Sequence, residues 1–156
     1  CGGGGCGLCK LAAVTEPLST DGARLLCCFF PASDAVVEAA CSCEELRAAL
    51  TGTNKDALFI DLGCGDGRVV IEVAKHFCCR ALGVDLDERL IDVARGAASR
   101  ELTSEVLARV DFETGDLCAV NLEEAAAVFM FMPRHVCEFV LNQVLPRSSL
   151  RAGSLV

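Results

Sequence analysis

The chain has 156 residues, enough for one domain with a real core and too few for two of ordinary size. It is 53% hydrophobic without a single Trp or Tyr, its mean hydropathy is +0.45, and no apolar run approaches the roughly 20 residues that cross a bilayer. With 14 basic against 22 acidic residues, a net charge of −8 and no Lys/Arg cluster, the composition argues against a nucleic-acid face and suits cationic partners, Lys-bearing proteins among them.

Residues 1–24, opening CGGGGCGLC, are predicted to be a low-complexity or disordered arm. The chain does not begin with Met, and it is expected to be a fragment whose upstream targeting segment, if any, is not visible. Twelve cysteines are spread along it. The one CxxC unit, Cys6 to Cys9, has no second unit at zinc-finger separation, so no metal site and no disulfide framework are expected. Free thiols in a reducing compartment are the expectation, with an intracellular location in the mitochondrion or the cytoplasm.

Residues 25–56 are predicted to be a helical segment and a linker. Pro31 breaks the apolar run LLCCFF, Ser33 can cap, and Val36, Val37, Ala40, Leu46 and Leu50 have the spacing of one or two short helices. TGTNKD, 51–56, is turn-rich. From 57 to 156 apolar strands alternate with amphipathic stretches. The predicted order is a strand over 57–62, a helix near 67–77, a strand over 80–86, a helix over about 88–99 carrying Leu90, Ile91, Ala94 and Ala97, and a short helix in ELTSEVLA. Strands over 108–114 and 125–132, a helix over 134–145 and a fifth strand at 153–156 complete it. The fold class is α/β, a doubly wound, mostly parallel sheet with helices on both faces.

The first strand runs into DLGCGDG, 61–67. Glycines allow positive φ and close approach of a ligand, and the following helix points its first N–H groups the same way. A tight turn with no ligand is the alternative. A triphosphate site would need Gly-Lys-Ser/Thr, but Arg68-Val69 follow Gly67. A dinucleotide site would need glycine at position 68 and would set a pyrophosphate beside Asp66 and near Asp61, which repel it. S-adenosylmethionine, with an ammonium and a sulfonium, is favoured by those carboxylates. GVDLD, 83–87, ends the second strand at Asp85, placed to accept from ribose hydroxyls, while Asp87 suits a helix N-cap. TGDL, 114–117, places Asp116 on the same rim, toward an adenine amino group; a solvated loop acid is the alternative.

These three segments resemble the motifs of the class I S-adenosylmethionine-dependent methyltransferases, over roughly residues 57–156. The resemblance implies a Rossmann-like fold, S-adenosylmethionine as cofactor, and Asp61, Gly63, Cys64, Gly65, Gly67, Asp85 and Asp116 as cofactor-binding residues. Ile91 and Leu86 would be apolar neighbours of the purine. FFPASDAVVEAA and the stretch from Glu123 to Val156 are similar to the lysine methyltransferases that modify ATP synthase subunit c and the adenine nucleotide translocase. That narrower likeness implies transfer of a methyl group to a protein lysine, with membrane-associated proteins among the substrates. Methyltransfer to a small molecule or RNA, and a non-catalytic partner subunit, are the alternatives. The class fold has seven strands, ordered 3-2-1-4-5-7-6, and the chain is expected to be truncated after about the fifth. Met132 and Pro133 are expected to wall the acceptor pocket. His135 is read as a base or as a surface residue, and no residue is assigned a catalytic role.

Overall fold

The computed structural model describes residues 29–52 and 56–156. The expected arm, 1–24, and residues 53–55 of the expected linker lie outside the described residues. The segment after Pro31 forms two helices, α1 (Asp34–Ser42) and α2 (Glu44–Thr51). Ser33 stands at the N-cap of α1, but its backbone carbonyl rather than its hydroxyl takes the first amides, those of Val36 and Val37.

The centre of the molecule is β1 (Leu58–Leu62), parallel to β2 (Arg80–Asp85) on one side and to β4 (Ala125–Phe129) on the other. β3 (Val110–Thr114) extends the sheet beyond β2, giving the order β3-β2-β1-β4, all parallel. Parallel neighbours need crossovers. Here they are α3 (Arg68–Phe77) between β1 and β2, then α4 (Glu88–Glu101) and the one-turn α5 (Ser104–Leu107) between β2 and β3.

Side chains alternate across β1 with the pleat. Phe59 enters one cluster with Ala40, Leu46 and Leu50 of the first two helices, Val70 and Val73 of α3, and Ile91, Ala94 and Ala98 of α4. Ile60 and Leu62 enter a second cluster with Leu117, Leu122, Val128 and Val140. The sheet is therefore covered on both faces, as its near-continuous apolar strands require. On α4 the buried stripe is Ile91, Ala94 and Ala98; Leu90 and Ala97, expected in it, lie only partly buried at its margins.

Two expected elements are shorter than the apolar pattern suggests. β4 stops at Phe129, and Met130 to Met132 leave the sheet for a turn that ends in Pro133, the N-cap of α6 (Arg134–Phe139). The helix expected over 134–145 is α-helical only to Phe139, widens to a π turn over Val140–Val144, and tightens to a 3-10 turn over Leu145–Arg147. Pro146 has no N–H, and its ring would clash with the carbonyl four residues earlier, at Asn142. The chain adjusts its pitch before reaching it, and the Asn142 side chain donates to the Glu138 carbonyl at 2.7 Å. The fifth strand is one parallel bridge beside β4. Leu155 N donates to Ala126 O at 3.0 Å, and Val128 N donates to Leu155 O at 2.9 Å.

Among the described residues no helix is long and apolar enough to cross a membrane. Seven described cysteines, from Cys41 to Cys137, carry free thiols. Cys1, Cys6, Cys9, Cys27 and Cys28 lie outside the described residues.

Candidate functional site

The turn after β1 takes positive φ at three alternate residues, Gly63 (80°), Gly65 (55°) and Gly67 (78°), a backbone path that disfavours side chains. The space is closed as well. A Cβ on Gly67 would lie 2.7 Å from Ala94 Cβ and from Phe112, and one on Gly63 would lie 2.8 Å from Met132 Sδ.

Four amides of this turn are paired within the protein. Gly63 and Cys64 donate to Val84 O at 2.8 and 3.0 Å, and Gly67 donates to Cys64 O at 3.0 Å. Gly65 donates to the Asp85 carboxylate at 2.9 Å. The amides of Gly63, Cys64 and Gly65 lock the turn onto β2, and that of Gly67 closes the turn on itself, so none of the four faces outward. The cause is register: β2 runs one strand over, so the end of its backbone and the Asp85 side chain lie beneath the turn. A polyanion would meet carboxylates here in place of a nest of free amides.

Asp61 lies on β1 opposite Gly83 of β2 and is the only buried charged residue among those described. Burial, then the carboxylates of Asp85 and Asp66, push its pKa up to about 8, with no lowering influence to offset them. Asp66 is neutralised locally, because Arg68 donates to both its oxygens, at 2.6 Å for the closest. Asp61 and Asp85 are left as two close carboxyl groups whose joint ionisation is unfavourable until a cation joins them.

Asp85 has a second task. Besides Gly65 N, its other oxygen accepts from Asp87 N at 2.9 Å. Asp87 is the N-cap of α4, as expected, accepting from Arg89 N at 3.0 Å. Asp87→Ala is expected to cost about 1 kcal/mol of stability and to leave ligand binding unchanged; thermal melts and calorimetry on one preparation check both.

Asp116 is on the same rim, one strand over, since Gly115 N donates to Asp85 O at 2.9 Å. It is exposed, and its carboxylate accepts from Cys118 N at 2.9 Å, capping the 3-10 turn Leu117–Ala119. Each carboxylate oxygen has two lone pairs, so Asp85 and Asp116 keep acceptor capacity beyond these bonds. Cys64 is buried, and burial followed by the Asp61 charge holds its thiol well above the usual range. It is a neutral packing group whose sulfur lies 2.8 Å from where a Cβ on Gly83 would stand.

Met132 reaches Gly63, while His135 is exposed on the first turn of α6. One neighbour went unnoticed in the sequence. A Cβ on Gly65 would collide with the ring of Phe29, and the aromatic pair before Pro31 was the available signal. A groove of about 820 Å³ between α1, α3 and α4, lined by Asp34, Glu38, Ile71 and Val93 among others, borders the turn only through Asp66 and Arg68.

The chain is similar to known proteins. Residues 61–156 match the family model described as the ANTKMT methyltransferase domain. A protein-lysine N-methyltransferase of Saccharolobus islandicus is 34% identical over 104 residues, 66% of this chain and 62% of that protein, so the chain spans less than two thirds of its length. Among solved structures, an RNA methyltransferase from Salinibacter ruber in complex with S-adenosyl-L-homocysteine is similar at 25% identity and a TM-score of 0.60, over 81% of this chain and 72% of that one. A SAM-dependent methyltransferase from Geobacter sulfurreducens, in complex with the same molecule, is similar at 25% identity and a TM-score of 0.55, over 72% and 45%.

Proposed function

The chain belongs to the ANTKMT methyltransferase domain family, and from that premise we propose that it binds S-adenosylmethionine and transfers its methyl group to a protein lysine. The observation that carries the reading is the buried Asp61, raised to about pH 8 beside Asp85 at a turn whose amides are turned inward. Such a site favours a cationic ligand over a nucleotide polyphosphate. The residues fit the group. Asp61 and the Gly63–Gly67 turn would hold its charged amino-acid portion, Asp85 its ribose and Asp116 its adenine. Bound there, the sulfonium supplies an activated methyl for in-line displacement.

The rest of the work is alignment and exclusion of water. Met132, on the turn that follows β4, lies against Gly63, and in this reading it and the adjoining Pro133, the N-cap of α6, would wall the acceptor side. A lysine must arrive deprotonated, because an ammonium has no lone pair. His135 is exposed and stands on the first helical turn, which suits loss of the proton to solvent better than a buried relay. The similarity to a protein-lysine N-methyltransferase and the net charge of −8 both favour a cationic protein acceptor over a polyanion. Membrane-associated proteins are included, and an intracellular location, mitochondrial or cytoplasmic, belongs to the same reading; subcellular fractionation tests it.

The test is transfer of labelled methyl from S-adenosylmethionine into a cell extract, with protease and nuclease arms. Label that protease removes, and that amino-acid analysis assigns to methylated lysine, is the expected result. Label lost to nuclease alone would replace the lysine reading with RNA methylation, in line with the Salinibacter ruber structure. Replacing His135 with Ala is expected to leave transfer within about threefold of wild type, since a solvent-accepted proton needs no side chain.

A further inference from the structure

Phe29 and Phe30 stand directly before Pro31 and are 45% and 66% exposed, in a chain whose aromatic side chains are eight phenylalanines. Exposed aromatic surface gains nothing by burial where it stands. Phe29 nevertheless has a fixed partner: its ring occupies the volume a side chain on Gly65 would need. From beneath, Gly65 is held by its N–H bond to Asp85. The centre of the glycine turn is thus held between a carboxylate of β2 and an aromatic ring that comes from ahead of the first helix.

The ring is anchored three residues on. Ala32 is buried in the helical-face cluster, and its carbonyl accepts from Arg68 Nη1 at 3.0 Å. The remaining donors of the same guanidinium hold Asp66. Arg68, the first residue of α3, therefore ties the segment 29–32 to the turn it covers. Between anchor and ring lies Pro31, whose fixed φ and steric demand keep Phe30 extended. The link from Ala32 to Phe29 is short and stiff.

We propose that residues 29–32 form a strap across the glycine turn, latched by Arg68, with Phe29 as a positioning residue that closes the cofactor site and slows cofactor escape. The strap rests on the S-adenosylmethionine reading given above. A closing element of this kind acts mainly on the dissociation rate and holds the methyl donor in line while the acceptor enters. Its partly exposed ring fits a part that engages a ligand at the rim better than one whose only task is packing.

The experiment is stopped-flow release of S-adenosylmethionine from the full chain, comparing wild type with Phe29→Ala, Phe29→Tyr and Arg68→Ala. Phe29→Ala and Arg68→Ala are expected to speed release about tenfold with association little changed, and Phe29→Tyr to restore slow release. Hydrogen exchange of the amides at 63–67 in the cofactor complex is expected to quicken in the same two variants. Wild-type binding with unchanged release from Phe29→Ala would overturn the strap, as would a lowered melting temperature as its sole effect. Phe29→Leu, which stays apolar but has no ring to lie across Gly65, decides the matter if the Ala variant does not fold: release as slow as wild type overturns the proposal, and faster release supports it. Wild-type protein that fails to bind S-adenosylmethionine overturns the cofactor reading instead.

Discussion

Asp61→Asn is expected to weaken S-adenosylmethionine binding by more than a hundredfold while making the cofactor-free protein more stable at pH 8. The two effects have one source. The carboxyl keeps its proton up to about pH 8 in the folded chain, against an ordinary value of 3.8. Between those limits the folded state binds more protons than the unfolded state, so stability falls as pH rises through this window. Asn has nearly the same shape and never ionises, so the variant lacks that slope. Its unfolding free energy should match wild type near pH 4 and exceed it at pH 8, by an amount on the order of 2 kcal/mol or more.

Cofactor binding responds in the opposite sense. A cation beside Asp61 favours the charged carboxylate, so binding below pH 8 releases a proton and tightens as pH rises. Removing one partner of such a buried pair costs roughly 3 kcal/mol or more, about a hundredfold or greater in affinity. Calorimetry in buffers of different ionisation enthalpy measures the released proton in wild type and its loss in the variant. A variant that binds normally and is destabilised at every pH would show Asp61 to be a structural acceptor with no cation to meet.

Asp85→Ala is the second large effect, and it is expected to damage both binding and fold. Read from the strand order alone, Asp85 is a rim carboxylate free to take ribose hydroxyls, and its removal spares the fold. The structure gives it the amides of Gly65 and Asp87 as well. Truncation leaves both without that acceptor, at about 1–3 kcal/mol for each one that water cannot reach. Binding should weaken by a further 1–3 kcal/mol from the lost charged acceptor. The stability loss is also expected to be smaller at pH 8 than at pH 5, because Asp85 is one of the charges that raise Asp61. Asp85→Asn keeps one acceptor oxygen and should lie between wild type and Ala. Denaturant melts at the two pH values, with cofactor titrations, check the ordering.

The strand–helix alternation, the parallel class and the acids at the strand ends were legible because they are local. Periods of 2 and 3.6 residues reveal β1, α3, β2 and α4 to within a few residues, and the carboxyl groups of Asp61, Asp66 and Asp85 are present wherever the chain places them, although their ionisation depends on that placement. End effects were less legible. Pro146 acts backward on the turn before it, so the helix after Pro133 changes pitch where its apolar spacing continues unbroken. The last strand depends on β4 for every hydrogen bond that defines it, and it forms as a single bridge at Leu155.

What only the tertiary structure decided are the contacts across long stretches of chain. Gly65 meets Asp85 twenty residues later, and Arg68 meets the Ala32 carbonyl thirty-six residues earlier. A sequence window records which groups can donate or accept, but the register of β1 on β2 determines which of them come within 3 Å. For that reason the sequence by itself identified a carboxylate-lined glycine turn suited to a cation. Packing then decided that its amides face inward, that Arg68 neutralises Asp66 while Asp61 stays buried, and that Phe29 lies over Gly65.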